Sequence, residues 1–384
     1  MVNTMTKFKI KNILLAFVGI LFLLLSSRSH VFAQWSSMGT VAQTSVSQAS
    51  IASDGTNLLV FYRYPNVSLN LDEGIIKKWN GSSWVQLYHP TNECHDPDIA
   101  VDGSLISASW HTDLHDLGFG TNANGPWVST VSTRLYHQYG STVAIAKGRA
   151  YVTFACRYSD GQPYNYMMLH VKSPIGTTGT QLELDGGWRA TFTDVGMTPS
   201  ITGNSSFWYV VSTQQGWLSV QRDYTYLGPF FQSASQGYAS NPEIVLYSGD
   251  PVVAWEEDSG SNIYIAKWNG SEWIIFGVDT LPGGYFDSLR IATSATDLYA
   301  VYTKSTGLPR ISVSKWNGIE WSSLDDPSES SSSTISTVEI TVHEGQPVIA
   351  FVENNVLKVK KWNGGMISSP AGFLPGPQLL LLNE

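Results

Sequence analysis

The chain has 384 residues, of which 42% are hydrophobic and 14% are charged, and it contains 34 Gly, 14 Trp and 18 Tyr. Its formal net charge of −9 argues against nucleic acid or an anionic membrane as the main partner. The length allows several small domains or one large all-β domain.

The first 33 residues have the features of an export signal. Three lysines precede an apolar run at residues 13–25, and the small-residue exit Val31-Phe32-Ala33 precedes Gln34. The run is short for a membrane span, and an uncleaved anchor is the alternative. We expect residues 1–33 to be a signal peptide and the protein to be secreted, either extracellular or periplasmic, with no membrane anchor after cleavage.

Residues 34–384 are predicted to form a single domain. The leader contains four basic residues and no acidic residue, so this remainder carries 18 Lys and Arg against 31 Asp and Glu, a net charge of −13. No partner of the nucleic-acid class is expected, and we expect a monomer.

A short phrase recurs along the chain. KKWNGSSW (77–84) returns as AKWNGSEW (266–273), as SKWNGIEW (314–321) and, in weaker form, as KKWNGGMI (360–367). Asn-Gly is a strong signal for a β-hairpin with a two-residue type I′ turn, which needs positive φ at both central residues. We predict a hairpin at each copy, with its Trp residues packed against neighbouring sheets.

A second phrase precedes the hairpins and consists of a short strand, a Gly turn and an apolar strand. Its clearest copies are SIASDGTNLLVFYRY (50–64) and PEIVLYSGDPVVAWEED (242–258). The copies align on one apolar residue of the first strand, at Ile51, Ile99, Val143, Ile201, Ile244, Ile291 and Ile340. This spacing predicts an all-β fold, a seven-bladed β-propeller of four-stranded antiparallel blades. A solenoid or two β-sandwiches are the alternatives.

The start of the mature chain predicts how the ring closes. QWSSMGTV (34–41) resembles the outer strand EWIIFGVD (272–279) but precedes any first strand. The last hairpin copy has Ile367 where the others have their second Trp. We therefore expect the N-terminal strand to complete the last blade, which removes an exposed sheet edge.

Candidate functional residues concentrate in two classes of loop. In a propeller, the loops that enter each inner strand and the loops between second and third strands meet at one end of the channel, and such loops often carry function. Six of the eight histidines lie between positions 89 and 170. Five of them fall in these loops, at His89, His95, His111, His115 and His137.

Other residues predicted at the same end suit a carbohydrate site, because aromatic rings stack on sugars and polar groups fix their hydroxyls. The residues predicted to bind substrate are His111, His137, Tyr136, Tyr158, Arg63, Trp255 and Glu256. A structural metal ion held by His111, Asp113 and His115 is a further possibility, although loop spacing does not fix ligand geometry. Cys94 and Cys156 could form a disulfide here or remain two buried thiols.

Within this region the chain resembles secreted bacterial propellers with BNR-type repeats, and blades two and three resemble polysaccharide lyases of the ulvan-lyase type. The residues that carry the resemblance are His95 in CHDPDIAVDG, His115 or His111 in WHTDLHD, Tyr139 in YHQYGS and Arg157 in FACRYSDG. The resemblance implies β-elimination on a polysaccharide that contains uronic acid. Arg157 would neutralise the uronate carboxylate, and His95, His115 and Tyr139 would supply the acid and base, because imidazole titrates near neutral pH.

Tyr136 or His137 could replace Tyr139 as the catalytic side chain.

Two other functions remain open at this point. A non-catalytic, lectin-like propeller would use equivalent residues blade after blade, whereas the candidate residues differ in every blade. A protein-interaction scaffold is the third alternative, since propellers serve many functions.

Overall fold

The computed structural model describes residues 34–42, 45–68, 70–91, 93–112, 116–122, 127–132, 136–158, 165–171, 189–192, 199–214, 216–223, 225–228, 238–257, 262–280, 286–304, 311–324, 326–328 and 333–364. The predicted signal peptide lies outside these residues. No described segment forms a helix that is long and apolar enough to cross a membrane.

The described residues form 28 β-strands. The strands of the first four sheets are β2 (Gln48–Ser53), β3 (Leu58–Asn66), β4 (Leu71–Trp79), β5 (Trp84–Thr91), β6 (His95–Asp102), β7 (Leu105–His111), β8 (Leu117–Thr121), β9 (Val128–Ser132), β10 (Tyr136–Ala146), β11 (Arg149–Tyr158), β12 (Asn165–Val171), β13 (Arg189–Phe192), β14 (Ser200–Gly203), β15 (Trp208–Gln214), β16 (Trp217–Arg222) and β17 (Thr225–Tyr226).

The last three sheets use the remaining strands. They are β18 (Ala239–Tyr247), β19 (Asp250–Glu257), β20 (Asn262–Trp268), β21 (Trp273–Thr280), β22 (Phe286–Thr293), β23 (Leu298–Lys304), β24 (Ile311–Trp316), β25 (Trp321–Ser323), β26 (Ile335–His343), β27 (Gln346–Glu353), β28 (Val356–Trp362) and β1 (Trp35–Thr40).

These strands make seven four-stranded antiparallel sheets, each with its strands in chain order except for the one completed by β1. The first strand of every sheet contacts the first strand of the next, and β26 contacts β2, so the inner strands form a closed ring. They line a central channel with a volume of about 1120 Å³. The predicted all-β architecture of four-stranded blades is therefore present.

The expectation of like units needs correction in the fourth sheet. Its outer strand β17 has only the two residues Thr225–Tyr226, and six sheets have an outer strand of three or more residues. KWNG copies occur in the first, fifth, sixth and last sheets, and the second and third sheets form longer outer strands without one, so the absence of KWNG alone does not explain the short β17. In the fourth sheet the inner strand that lines the channel is therefore present, whereas the outer strand at the perimeter is shortened.

The core lies between neighbouring sheets. Second strands are buried on both faces because each blade is packed between two others. The run Leu58–Tyr62, for example, is at most 2% exposed along its whole length. This explains why the second strands are continuous apolar runs, whereas an exposed sheet would alternate.

The KWNG hairpins have a different turn from the predicted one. Trp79 pairs with Trp84, so four residues form the loop, and only Gly81 has positive φ (98°). The Asn80 side-chain oxygen accepts hydrogen bonds from the backbone N–H groups of Ser82 (3.0 Å) and Ser83 (2.8 Å). The type I′ prediction is therefore wrong: Asn acts through its side chain, and glycine supplies the positive φ.

The Trp residues of the hairpins form equivalent pairs. The ring centroids of Trp79 and Trp84 lie 5.4 Å apart, and the other two hairpins have pairs at 5.5 Å. The last blade makes the same pair from distant residues, since Trp35 of β1 lies opposite Trp362 of β28, at 5.2 Å. Closure by the N-terminal strand is thus observed, and Trp35 supplies the second Trp that the last hairpin copy lacks.

Candidate functional site

One end of the channel gathers the starts of the inner strands and the ends of the second strands. We call this end the first mouth. Its wall consists of residues near the starts of six inner strands, Gln48, Asp96, Gly140, Asn241, Ser288 and Ser336. These six positions hold five different residue types, so the first mouth has no sevenfold chemical repetition.

A β-bulge shapes five of the inner strands at this mouth; the bulge in β26 is at Ser336, and the other four resemble one another. The pairing with the second strand shifts between His95 and Asp98 in β6, and equivalent shifts occur in β10, β18 and β22. The residue inside each shift has positive φ: 46° at Asp96, 55° at Gly140, 47° at Asn241 and 64° at Ser288. Bulges turn a side chain away from the regular alternation of the strand, and here the turned residues line the channel.

The wall residues of three sheets are held by residues one strand further out. Gln48 Oε1 accepts a hydrogen bond from Arg63 (3.4 Å), and Asn241 Nδ2 donates one to Glu256 (2.9 Å). Asp96 Oδ2 lies 3.7 Å from His111 Nδ1. Arg63, His111 and Glu256 occupy equivalent positions on β3, β7 and β19, two residues beyond the level of Ser50, Asp98 and Glu243.

The sequence therefore identified the supporting layer of this mouth and missed the wall. Arg63, His111 and Glu256 were predicted to bind substrate, and the structure places them behind Gln48, Asp96 and Asn241. In four of the sheets the missed signal is the position three residues before the aligned apolar residue, where a bulge turns the residue towards the channel; these residues are Asp96, Gly140, Asn241 and Ser288. Groups held in this way are pre-oriented for a ligand.

A network crosses from the first sheet to the second at this mouth. Gln48 Nε2 donates to Asp96 Oδ1 (2.6 Å), and the Asp96 backbone N–H donates to Gln48 Oε1 (3.1 Å). Arg63 also pairs with Asp72. The His111 imidazole beside Asp96 holds the pKa of that carboxyl below its ordinary value. Asp96 therefore presents a carboxylate, half exposed, to the channel near neutral pH.

His111 is the unusual member of this network. Its side chain is 2% exposed, and neither ring nitrogen has a hydrogen-bond partner among the described residues. A buried polar group without a partner costs free energy, of the order of 1–3 kcal/mol. The charged group nearest to the ring is the Asp96 carboxylate, 3.7 Å from Nδ1.

The catalytic candidates of the resemblance are described only in part. His95 is half buried and pairs with His111 across β6 and β7. The backbone pairs His137 with Arg157, Tyr136 with Tyr158 and Tyr139 with Ala155, which places five candidate residues, all of these except Ala155, at the first-mouth end of the third sheet. His115 lies outside the described residues, and the structure does not describe the side chains of those five. Their catalytic roles stay predictions.

Trp255 needs a correction. Its side chain is fully buried in the cluster between the fourth and fifth sheets, where it stacks on Tyr264 at a centroid distance of 5.5 Å. Its indole N–H donates to Glu257 Oε1 (2.8 Å). A side chain enclosed on all sides offers no face to a sugar, so Trp255 is a core residue.

Two observations on the described residues bear on the thiol and metal hypotheses. Cys94 is a free and fully buried cysteine, and burial raises the pKa of its thiol well above the ordinary value. Among the described residues, no group of three His, Cys, Asp or Glu side chains is arranged to hold a metal ion. Asp113 and His115 of the metal hypothesis lie outside these residues.

Deeper in the channel, each sheet contributes one polar residue at the same level. These residues directly precede the aligned apolar position of each repeat, and they are Ser50, Asp98, Thr142, Ser200, Glu243, Arg290 and Glu339. We call them the polar ring. The sequence shows this ring once the repeats are aligned, but its chemistry is visible only when the sheets are arranged in a circle.

Hydrogen bonds of the polar ring join neighbouring sheets. Ser50 donates to Asp98 (2.9 Å), and Asp98 accepts from the Val143 backbone N–H (2.7 Å). Ser200 donates to Glu243 (3.2 Å). Arg290 pairs with Glu243 (3.2 Å) and with Glu339 (2.9 Å). The ring thus stabilises the circular arrangement through side chains, in addition to the apolar packing between sheets.

Three carboxyl groups share one guanidinium in the polar ring. Burial raises the pKa of Asp98 and of Glu243, and it raises the pKa of Glu339 to about 7, although Arg290 opposes each shift. The neighbouring carboxylates raise the pKa of Arg290 further above its ordinary value, against the effect of its burial. The interior of the channel therefore contains three carboxyl groups whose charged forms are disfavoured by burial.

Comparisons with known proteins support the fold but identify no family. No protein-family model matches the chain, and no curated protein sequence matches it. Among solved structures, the β-propeller domain of Myceliophteria thermophila Cps50 (Swd1) is similar with a TM-score of 0.55 and 10% identity, over 86% of this chain and 100% of that chain. The β-propeller domain of the Trilobed protease from Pyrococcus furiosus has a TM-score of 0.51 and 10% identity, over 88% and 96%. The chain has a β-propeller fold.

A sialidase also appears among the similar structures. The Trypanosoma rangeli sialidase matches with a TM-score of 0.47 and 7% identity, over 74% of this chain and 57% of that chain. A likeness this weak carries no argument about function. The propeller's function has to be inferred from its own residues.

Proposed function

We propose that this propeller is a secreted carbohydrate-active protein that binds an extracellular glycan at the first mouth. The observation that carries the proposal is the layered construction of that mouth, in which Arg63, His111 and Glu256 lie behind Gln48, Asp96 and Asn241. The Asp96 carboxylate and the carboxamides of Gln48 and Asn241 are groups that recognise sugar hydroxyls. Secretion is proposed from the leader sequence.

The chemistry of the mouth favours one binding site for each chain. A lectin with one site in every blade would repeat its wall residues, whereas this wall has Gln, Asp, Gly, Asn and Ser at comparable positions. One ligand recognised by several different sheets agrees better with this asymmetry.

Cleavage of a uronate polymer by β-elimination is the more specific form of the proposal. It is supported by His111, whose imidazole Nδ1 lies 3.7 Å from the Asp96 carboxylate and would act as the base. Arg157, opposite His137 in the backbone pairing, would neutralise the uronate. Removal of the proton next to the carboxylate and departure of the O4 oxygen would leave an unsaturated uronate.

A binding screen followed by an activity screen tests both forms. Residues 34–384 are applied to an array of neutral and uronate-containing glycans, beside Asn241→Ala and the control Ser248→Ala, which lies beyond the other end of β18. We expect binding to a narrow class of glycans that falls at least about tenfold in Asn241→Ala, as for loss of an oriented hydrogen bond, and is unchanged in Ser248→Ala. Absence of binding, or equal binding by both variants, would contradict the proposal.

The activity screen measures the ultraviolet absorbance of unsaturated uronate during incubation with ulvan, alginate, pectin and glycosaminoglycans. The elimination hypothesis predicts an increase on one of these polymers and its loss in His111→Ala. Binding without any increase would reject the lyase and leave a non-catalytic glycan-binding propeller.

A further inference from the structure

Two large aromatic side chains are exposed at the first mouth. Trp217 is 44% exposed and Tyr238 is 73% exposed. Trp217 begins β16 and pairs with Gln214 at the turn between the second and third strands of the fourth sheet. Tyr238 directly precedes β18, the inner strand of the fifth sheet. Both positions belong to the two loop classes that meet at this mouth.

The fold holds these two residues close together. The Ala239 backbone N–H donates to the Gly216 carbonyl oxygen (3.0 Å), which ties the residue after Tyr238 to the residue before Trp217. The Tyr238 ring lies over Gly216, since a Cβ atom there would be 2.4 Å from Tyr238 Cδ1. Gly216 also has positive φ (78°), so both the space and the backbone require glycine. The Tyr238 ring therefore packs against the backbone of the fourth sheet at Gly216, while most of the surface of its side chain faces solvent.

The exposure of this pair contrasts with the aromatic residues of the repeat. The hairpin and closure residues Trp84, Trp35 and Trp362 are at most 9% exposed and fill the space between sheets. Phe207 is exposed too, but the Arg222 guanidinium lies over its ring at 4.8 Å. Trp217 and Tyr238 thus differ from the buried tryptophans, which lie between sheets, and from Phe207, whose ring is covered by a guanidinium group.

Polar groups continue directly from this aromatic pair into the wall of the mouth. Along β18, Tyr238 is followed by Ala239, Ser240 and Asn241, and Ser240 Oγ donates to the Glu256 carbonyl oxygen (3.4 Å). Sugar-binding sites combine these two elements, an aromatic face for the apolar side of a pyranose ring and fixed polar groups for its hydroxyls.

We propose that Trp217 and Tyr238 form an aromatic platform on which a pyranose ring of the bound glycan stacks, next to the wall residue Asn241. This inference rests on the proposed function, because it assigns a subsite to the same glycan. It also extends the contact area of the ligand from the channel mouth onto the junction of the fourth and fifth sheets.

The test compares the affinities of Trp217→Ala, Trp217→Phe and Tyr238→Ala for the array glycans with that of the wild-type chain. The matched control is Tyr226→Ala, which removes an aromatic residue that is 45% exposed on the outer strand of the same fourth sheet. We expect the two alanine variants to bind about three- to tenfold more weakly, as for loss of one aromatic stacking contact. Trp217→Phe should retain most of the affinity and Tyr226→Ala all of it.

The outcomes separate the platform from the proposed function. Wild-type binding with unchanged affinity in Trp217→Ala and Tyr238→Ala would overturn the platform and leave glycan binding at the mouth intact. No binding by the wild-type chain would overturn the proposed function and the platform with it. Equal thermal unfolding midpoints of all variants show that a loss of affinity is not a loss of folded protein, and Trp217→Phe provides the same check independently.

Discussion

At the residue scale, one position of the repeat carries different side-chain chemistry in different sheets. The position before the aligned apolar residue is Ser50 in the first sheet, Glu243 in the fifth and Arg290 in the sixth, yet all contribute to one polar ring. A repeat search on the sequence finds the position. It cannot show that Arg290 lies between two carboxylates, because the partners come from neighbouring repeats 47 and 49 residues away.

The polar ring predicts a pH dependence of stability through Glu339. Its pKa is raised from 4.5 to about 7 because burial disfavours the charged form. Between these values the folded state binds more protons than the unfolded state, so the free energy of unfolding falls as the pH rises. This contribution is fully present below pH 4.5 and is lost above about pH 7.

Glu339→Gln should flatten this fall. Glutamine cannot ionise and keeps a side-chain oxygen for Arg290 Nε, while Asp98 and Glu243 retain their own raised pKa values and part of the dependence. Denaturant unfolding measured from pH 4.5 to 8 gives the slope, and Asp102→Asn, at an exposed position, is the control. An identical slope in Glu339→Gln and the wild-type chain would show that Glu339 does not titrate in this window.

At the element scale, the strands and the closure could be predicted, whereas the bulges and the turns could not. The alternation around KWNG and the orphan strand QWSSMGTV identify the pairing of Trp35 with Trp362. The bulge at Asp96 depends on how β6 fits against β7, and the pair Asp96-Pro97 indicates a turn without specifying a bulge. The four-residue hairpin loop follows from the Asn80 side chain, which competes with the backbone for hydrogen bonds.

Ring closure by β1 predicts a large effect from one N-terminal side chain. Trp35→Ala removes a residue that is 7% exposed and packs on Trp362, so we expect a loss of about 3–5 kcal/mol in the free energy of unfolding. Thr40→Ala, an exposed position on the same strand, should cost less than about 0.5 kcal/mol. Chemical denaturation of both variants provides the comparison, and similar midpoints would argue that β1 does not close the ring.

At the scale of the whole molecule, a circular arrangement brings together residues that are far apart in the sequence. Gln48 and Asp96 meet across the junction of two sheets, and Asn241 lies on the same wall. Composition and repeat spacing predict the circle, and the loop classes predict which end is functional. Neither predicts that Trp217 and Tyr238 lie close together, because this depends on the packing of the Tyr238 ring against Gly216, which sequence spacing does not show.

The most direct measurement is the number of glycan molecules bound by one chain, obtained by isothermal titration of residues 34–384 with an oligosaccharide selected on the array. The account predicts one molecule for each chain, with binding weakened at least about tenfold in Asp96→Asn and unchanged in Asp102→Asn at the opposite end of the same strand. Several molecules bound to each chain, or full affinity in Asp96→Asn, would contradict a single site at the first mouth.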